Sequence, residues 1–197
     1  MYNQGNRQGV DQMEMEVKIL DIDIEDVRKR MKEAGAMLVK DEDQENRIFD
    51  FPDGRLLKER GYARIRSVRD RRDGSIQHTM TTKRMLSQEK YKVMDEHETV
   101  ISSGEEGEGI FLALGLELSH VIRKSRESYR YKDTLVEIDI NEKEFFPVPY
   151  LEVESASEDE LEETVKLLGY TMADATSRTM YEIMRDMGLV KGDDFGF

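Results

Sequence analysis

The sequence predicts an α+β protein in which a closed eight-stranded antiparallel β-barrel forms a tunnel, with a polar, charged interior and helices packed on its outside. Eight segments alternate apolar and polar residues with the period of a strand, and eight strands suffice to close a barrel. Charged residues recur at every second position of these segments, which places them on one face. Other segments have the apolar spacing of amphipathic helices, which would cover the outer walls.

Composition excludes several classes of function. The 197 residues carry 43 acidic and 30 basic side chains, and this net charge of −13 argues against a general nucleic-acid binder. Because the chain has no cysteine, disulfides, thiolate nucleophiles and Cys-ligated zinc are excluded. The longest apolar run, near residues 110–116, is too short to cross a bilayer, so we expect a cytoplasmic protein with no membrane partner.

The chain divides into three parts by pattern. Residues 1–12 are polar and lack an apolar stretch, which predicts a flexible leader rather than a signal peptide. Residues 13–187 contain all the strand and helix patterns, so we expect a single domain there. Residues 188–197 follow the last helical pattern and predict a C-terminal tail.

The first elements are a strand, a helix and a second strand. Residues 13–19 alternate apolar and charged side chains, which predicts a strand. Asp23 is placed to cap a helix that ends before Gly35, with apolar residues along one face. Residues 47–51 predict the next strand, which the Pro-Asp-Gly turn at 52–54 ends.

The middle of the chain predicts three strands and a short helix. Residues 62–69 and 76–83 flank an Asp-Gly turn and therefore form a hairpin. Residues 90–102 predict the following strand. Residues 104–109 alternate glycine and glutamate, which indicates an acidic loop before a short helix at 110–114.

The last part predicts three strands and two helices. Residues 119–131 and 134–141 form a second hairpin, and residues 150–155 form the eighth strand. A Ser-x-x-Glu capping box opens a helix over about 157–168. A final helix is predicted over 175–187 from its stripe of methionine and isoleucine.

An ordinary antiparallel sheet with one solvent-exposed face would explain the alternation in any single strand. It does not explain why pairs of same-sign charges recur on strand after strand. Like charges that lie opposite each other across strands cost stability, and charges inside a barrel are costly unless they compensate one another or bind a ligand. Such an interior suits a metal–polyphosphate complex, in which bases hold the polyanion and carboxylates hold hard cations. The acidic pairs are Glu14/Glu16, Glu96/Glu98, Glu137/Asp139 and Glu152/Glu154, and the basic pairs are Arg64/Arg66 and Lys124/Arg126.

The order of motifs along residues 13–185 is the basis of a family resemblance. The chain opens with Glu14-x-Glu16-x-Lys18 and ends the series with Asp139 and Glu152-x-Glu154. Between them come residues 44–50, Ala63-Arg64-Ile65-Arg66, Thr81-Thr82-Lys83, Glu96-x-Glu98 and Lys124-x-Arg126-x-x-Tyr129. This series resembles the CYTH superfamily, the triphosphate tunnel metalloenzymes.

The resemblance implies a tunnel that holds a small-molecule triphosphate together with Mg²⁺ or Mn²⁺. Arginine presents a planar fork to phosphate, and magnesium prefers carboxylate oxygens together with substrate phosphates. By resemblance, the substrate-binding and catalytic residues are Lys18, Arg64, Arg66, Lys83, Lys124 and Arg126, and the metal ligands are Glu14, Glu16, Asp139, Glu152 and Glu154. The roles of Glu96, Glu98, Glu137 and Arg130 stay open.

The leading hypothesis from this resemblance is a metal-dependent phosphohydrolase acting on tripolyphosphate, a nucleoside triphosphate or thiamine triphosphate. One alternative is a class IV adenylate cyclase, which makes cyclic AMP and pyrophosphate from ATP. The segment between Asp139 and Glu152 lacks the Gly-Leu-Gly element of the cyclase-type members, and the chain has no tryptophan to stack on thiamine. A second alternative is a protein that binds polyphosphate or nucleotide without catalysis. A homodimer is compatible with the sequence.

Overall fold

A computed structural model describes residues 15–88 and 92–190 of the chain. These residues form one antiparallel sheet of nine strands, with five helices. The strands are β1 (Met15–Leu20), β2 (Met37–Asp50), β3 (Tyr62–Asp70), β4 (Ile76–Gln88), β5 (Lys92–Ile101), β6 (Glu117–Tyr131), β7 (Thr134–Asn141), β8 (Tyr150–Ser155) and β9 (Ala175–Thr176). The helices are α1 (Ile24–Glu33), α2 (Arg55–Lys58), α3 (Gly104–Ala113), α4 (Glu158–Leu167) and α5 (Met180–Asp186).

The sheet has the strand order β5-β4-β3-β2-β6-β7-β8-β1-β9. The predicted α+β class with an antiparallel sheet is confirmed, but closure into an eight-stranded barrel is not seen among the described residues. There, β5 and β9 stand at opposite ends of the order and do not pair with each other. Because β9 has only two residues, it offers too few backbone N–H and C=O groups to form the hydrogen-bonded ladder with β5 that would close the sheet.

Helices α1, α3 and α4 pack against one face of the sheet, which we call the outer face, whereas α5 packs with Phe146 and Tyr150. Val17, Val136 and Val153 lie on this face in a cluster that also contains Val27 of α1 and Val165 of α4. A second cluster joins strand residues of β2 and β3 to Phe111 of α3. The predicted amphipathic helices therefore cover apolar strand faces, as expected. Burial of each such aliphatic side chain stabilises the fold by roughly 1.5–3 kcal/mol.

The prediction of an acidic loop at 104–109 is wrong, because α3 begins at Gly104. Ser103 caps the helix by accepting a hydrogen bond from the backbone N–H of Glu106. Two of the glycines pack so closely against side chains of the sheet that a Cβ would force the ends of those side chains to move. A Cβ on Gly107 would lie 2.5 Å from Ile101 Cδ1, and one on Gly104 would lie 2.8 Å from Arg47 Nη2.

Three other boundaries differ from the prediction. β2 starts at Met37 rather than residue 47, because charged and polar residues at nearly every position of 40–47 hide its alternation. The short helix α2 was not predicted. The last helix starts at Met180, and Ala175–Thr176 before it pairs with β1 as β9.

Some predictions fall outside the described residues. The predicted leader at 1–12, the metal ligand Glu14 and most of the predicted tail belong to this group. In the part of the chain that is described, no helix is both long and apolar enough to cross a membrane.

Candidate functional site

Strand register brings the predicted site residues to the face opposite α1, α3 and α4, which we call the inner face. Directly opposite residues in antiparallel strands lie on the same face. Glu152 of β8 lies directly opposite Lys18 of β1 on one side and directly opposite Glu137 of β7 on the other. Further such pairs connect all the described predicted residues across the sheet, namely Glu16, Lys18, Arg64, Arg66, Lys83, Lys124, Arg126, Asp139, Glu152 and Glu154.

The centre of the inner face is an ionic cluster around Arg126. Its guanidinium donates from Nε to Asp139 Oδ1 at 2.6 Å and from Nη2 to Glu152 Oε2 at 2.7 Å, and it also contacts Glu137. Lys124 Nζ lies 2.5 Å from Asp139 Oδ2. Burial opposes charge on Arg126, but Asp139, Glu137 and Glu152 raise its pKa well above the usual range. Arg126 is therefore fixed by three carboxylates.

Asp139 is fully buried within this cluster yet remains ionised. Burial by itself would raise the pKa of the carboxyl, but Lys124 and Arg126 together hold it well below its usual range. For Lys124 the balance is the reverse: desolvation lowers the pKa of the ammonium despite the attraction of Asp139. The ionisation state of each group in the cluster therefore depends on the charges of its neighbours.

We expect replacement of Asp139 by asparagine to destabilise the fold by about 3 kcal/mol at neutral pH, because cations would lose a buried partner. A carboxyl whose folded-state pKa is depressed contributes stability above its unfolded pKa, about 3.9, and loses it as the pH falls toward the folded pKa. The difference in melting temperature between wild type and Asp139→Asn should therefore be constant near pH 7 and shrink below about pH 4.

Thermal unfolding at a series of pH values tests this expectation. Asp133→Asn is the matched control, because Asp133 lies exposed in the turn between β6 and β7. The control should melt within about 1 °C of wild type at each pH, as surface substitutions usually change stability little. A difference for Asp139→Asn that stays constant down to pH 2 would contradict the assignment.

The β1 edge of the inner face is rich in carboxylates. Lys18 is buried and contacts Glu16, and its Nζ lies 3.5 Å from Glu152 Oε1. Burial lowers the pKa of Lys18, but Glu152 and Glu16 raise it above its usual value on balance. Glu16 and Glu154 lie directly opposite each other on β1 and β8, a like-charge pair that a bound cation would stabilise.

The carboxylate oxygens at this edge are the kind of ligand that a hard divalent cation prefers. Among the described residues no three acidic or histidine side chains converge on one point, so the geometry supplies fewer than three ligands at any place. Mg²⁺ is commonly held by one or two carboxylates together with substrate phosphates and water. One or two of the carboxylates Glu16, Glu152 and Glu154 could therefore hold Mg²⁺ or Mn²⁺ together with a phosphate ligand and water.

The opposite half of the inner face, on β3 and β4, is rich in cations. Arg64 Nη2 lies 3.3 Å from Thr81 Oγ1 and 3.4 Å from Glu98 Oε2, and Thr81 donates to Glu98 at 2.7 Å. Lys83 Nζ lies 2.8 Å from Glu96 Oε2. Glu96 and Glu98, whose roles were open, thus act as counter-ions of the basic residues.

Arg66 differs from the other basic residues of the inner face. Its Nε donates to Asn46 Oδ1 at 2.8 Å, and within the described residues no carboxylate lies within ion-pair distance of it. Burial first, and then repulsion by Arg64 and Arg126, lowers the pKa of Arg66 to about 10. A half-buried guanidinium repelled by two other cations is unfavourable by itself, and an anion would stabilise it.

A cavity of about 280 Å³ opens at the cation-rich half, where Arg64, Arg66, Lys83 and Lys124 line it. Residues of β2, β3, β4, β6, β7 and β8 line it, so the sheet curves around it, and α5 covers one side with Met180. Two polar atoms of lining residues, Arg64 Nε and Asn141 Nδ2, have no hydrogen-bond partner within the described residues. Gln44 Oε1 and Thr79 Oγ1, on the same face of the sheet, also have none.

A larger groove, of about 620 Å³, lies mainly on the outer face between the two helix-covered clusters. Lys124 and Asn141 line both cavities, and several other charged residues of the groove are paired within the protein: Arg71 donates to Asp43 at 2.5 Å and Arg123 to Glu45 at 2.8 Å. Since those charges already compensate one another, the inner cavity is the better candidate site despite its smaller volume.

Sequence reasoning missed the uncharged polar residues of the site. Gln44 and Asn46 are buried on the inner face of β2, but their neighbours on the outer face are also charged, so no alternation marks them. Tyr150 begins β8 beside Asp139 and carries no charge that a charge-pair search could find. Arg130 lies in the same row but is exposed, which removes it from the cavity.

The fold and site define an α+β protein whose curved antiparallel sheet carries acidic and basic groups on its inner face. A family model for the CYTH domain matches residues 12–180. The chain belongs to the CYTH family, as its motifs indicated.

Solved structures share this fold at low sequence identity. A protein from Pyrococcus horikoshii has a TM-score of 0.65 and 22% identity, over 86% of this chain and 98% of its own. A Vibrio parahaemolyticus protein named as a candidate adenylate cyclase has a TM-score of 0.69 and 14% identity, over 88% and 98%. A Hippeastrum protein described as having a dominant triphosphatase activity has a TM-score of 0.62 and 18% identity, over 91% and 99%. No curated protein matched the sequence.

Proposed function

We propose that this protein is a divalent-metal-dependent phosphohydrolase that acts on a triphosphate-containing small molecule at the inner face. The observation that carries the proposal is Arg66, a half-buried guanidinium repelled by Arg64 and Arg126, with no carboxylate partner among the described residues. A polyanion supplies the missing negative charge, and a triphosphate is long enough to reach several cations at once.

The basic residues around the cavity would hold the phosphates. Arg64 and Arg66 present planar forks from neighbouring positions of β3, while Lys83 and Lys124 place point charges on either side of them. Arg64 Nε and Asn141 Nδ2 have no partner within the described residues and are available as further donors. Lys18 and Arg126, held among the carboxylates, would link the phosphate half to the metal half.

The carboxylates of β1 and β8 would hold the metal. Glu16, Glu152 and Glu154 are the described candidates, and Glu14 belongs to the same predicted motif. When bound, Mg²⁺ or Mn²⁺ supplies positive charge that offsets the charge of the phosphate oxygens during reaction. The chain's own cations would share this task, since charges that the fold holds in place need no reorganisation during the reaction.

The proposed reaction is hydrolysis of the terminal phosphoanhydride bond. Water attacks the terminal phosphorus in line, the bond to the bridging oxygen breaks, and orthophosphate, the shortened phosphate chain and a proton leave. Inorganic tripolyphosphate, a nucleoside triphosphate and thiamine triphosphate all contain this bond. The triphosphatase activity described for the Hippeastrum relative supports this reaction class.

Incubating the protein with each of these three compounds in turn tests the proposal. We expect orthophosphate to be released from at least one of them in Mg²⁺ or Mn²⁺, and the release to stop in EDTA. The melting temperature should rise in saturating tripolyphosphate, since a ligand that binds only the folded state stabilises it.

Other products would decide between the remaining functions. Cyclic AMP with pyrophosphate from ATP would identify a cyclase instead of a hydrolase. A rise in melting temperature without any product would identify a binding protein. If none of the three compounds is bound or converted, the inner face is not a triphosphate site and the proposal is wrong.

A further inference from the structure

The connection between β2 and β3 contains an arginine, Arg60, in an unusual backbone conformation. Its φ is +54°, in the left-handed region that residues other than glycine rarely adopt. Arg60 follows the short helix α2, and its N–H donates to Leu57 O at 2.7 Å. Helices commonly end with a left-handed residue, which is usually glycine because glycine has no Cβ to clash. Glycine would therefore be the more stable choice at this position, and the arginine calls for another reason.

Hydrogen bonds on both sides hold Arg60 in this conformation. The carboxylate of Asp50 accepts from the backbone N–H groups of Leu56 and Leu57, each at 3.0 Å, which fixes the first turn of α2. After Arg60, the N–H of Gly61 donates to Leu56 O at 2.8 Å. A residue in a sparsely populated conformation persists only where its surroundings determine it, and such residues concentrate at functional sites.

Close packing places Arg60 at the solvent-exposed side of the inner cavity, which we call its mouth. A Cβ on Gly61 would lie 2.3 Å from Lys83 O, so the chain can pass this close to β4 only with glycine there. Arg60 and Tyr62, on either side of it, both line the cavity. Arg60 Nη1 lies 3.7 Å from Met85 Sδ, on the same face of β4 as Lys83. Arg60 is exposed and Lys83 is half-buried, so the guanidinium lies on the solvent side of the other cations.

We propose that Arg60 is a substrate-binding residue, which binds the end of the polyphosphate chain that lies at the mouth of the cavity. This inference rests on the proposed function, from which it takes only the binding of a triphosphate at the inner face. A guanidinium presents a planar fork of N–H donors that matches two oxygens of one phosphate. Arg60 adds this contact to those of the less exposed Arg64, Arg66 and Lys83.

The charge of the whole chain gives an exposed cation at the mouth a further effect. The net charge of −13 repels a polyanion in solution. Two cations deeper in the cavity are already partly compensated, since Arg64 lies 3.4 Å from Glu98 and Lys83 lies 2.8 Å from Glu96. Positive charge at the opening of a cleft raises the local concentration of an anionic substrate. Loss of Arg60 should therefore weaken binding rather than slow the chemical step.

Arg60→Gly tests the inference, because glycine accepts the left-handed conformation and removes the guanidinium. We expect the Kd for tripolyphosphate, measured by isothermal titration calorimetry in EDTA, to rise about 3- to 30-fold, the size expected for a partly exposed hydrogen-bonded charge contact. In Mg²⁺, KM for hydrolysis should rise by a similar factor while kcat stays within about twofold, as for a contact made equally in the ground and transition states. The melting temperature should not fall and should rise by up to roughly 4 °C, because a left-handed side chain is removed.

Lys132→Gly is the matched control. Lys132 also has a left-handed backbone, with φ at +51°, and its loss removes the same charge from the chain. It lies in the turn between β6 and β7, where its Nζ lies 2.7 Å from Glu163 Oε1, outside the cavity. This variant should bind tripolyphosphate within about twofold of wild type. Arg60→Lys keeps the charge and loses the planar fork, so its Kd should lie between those of wild type and Arg60→Gly.

The possible results separate this inference from the proposed function. If wild type binds tripolyphosphate and Arg60→Gly binds it equally well, the inference is wrong and the proposed function stands. An equal rise of Kd in Lys132→Gly would show an effect of net charge alone and would also refute it. A melting temperature several degrees lower in Arg60→Gly would mark Arg60 as a structural residue instead. If wild type binds tripolyphosphate without releasing phosphate, the proposed hydrolysis is wrong and the Kd values still decide the role of Arg60. Wild type that fails to bind tripolyphosphate would overturn both.

Discussion

Replacing Arg66 by methionine is expected to lower kcat/KM for the triphosphate substrate by about 100-fold or more, without lowering the melting temperature. Removing one preorganised donor from a catalytic site commonly costs a factor of this size. Stability should not fall, because Arg66 is half-buried, has no carboxylate partner among the described residues, and is repelled by Arg64 and Arg126. Methionine keeps most of the side-chain stem and removes the charge.

The measurement is steady-state hydrolysis combined with thermal unfolding of the same preparation. Arg69→Met on the outer face of the same strand is the matched control, since Arg69 is exposed and lies away from the cavity. It should leave both quantities nearly unchanged. If Arg66→Met lowers the melting temperature by several degrees and keeps full activity, Arg66 is a structural residue and its role in anion binding is refuted.

Replacing Arg126 by methionine is expected to lower both the activity and the melting temperature, whereas Arg66→Met lowers the activity alone. Arg126 compensates Asp139, Glu137 and Glu152 at once, and removing one partner of a buried ion pair commonly costs about 3–5 kcal/mol. For a chain of this length, that loss lowers the melting temperature by roughly 10 °C. Activity should fall with it, because Lys124 would turn toward the uncompensated carboxylates and away from the phosphates.

Arg28→Met serves as the control for this prediction. Arg28 also binds a carboxylate, Glu127, but on the outer face and with a partly exposed side chain. Exposed ion pairs contribute only about 0–1 kcal/mol, so the control should lose at most a few degrees and retain activity. Equal destabilisation by both variants would mean that the inner cluster is no more important to the fold than a surface pair.

The contrast between these two arginines could be predicted only in part from the sequence. The period of two correctly places Arg66 and Arg126 on the same face as their neighbours, since a shift of one residue would move every side chain to the other face. Which cation is compensated and which is not depends on strand order, because β6 lies between β2 and β7. Local alternation contains no information on that order.

The parts of the fold that escaped prediction have local physical reasons. Residues 40–47 of β2 are polar on both faces, so the strand shows no contrast to detect. Residues 104–109 look like a loop because glycine weakens a helix by up to about 1 kcal/mol. In the structure, Gly104 and Gly107 allow α3 to approach the sheet more closely than any other residue would, which is a tertiary cause.

The pairing of β1 with β8 has a consequence for how the protein folds. Lys18 meets Glu152 only after the chain between them has been arranged, and β2 likewise waits for β6. Contacts between such distant residues require the loop-closure entropy to be lost before they form, which slows folding. During synthesis on the ribosome, β1 must therefore remain without its β8 neighbour until nearly the whole described chain has emerged. The ionic cluster is then completed late, and folding and the capacity to bind a polyanion arrive together.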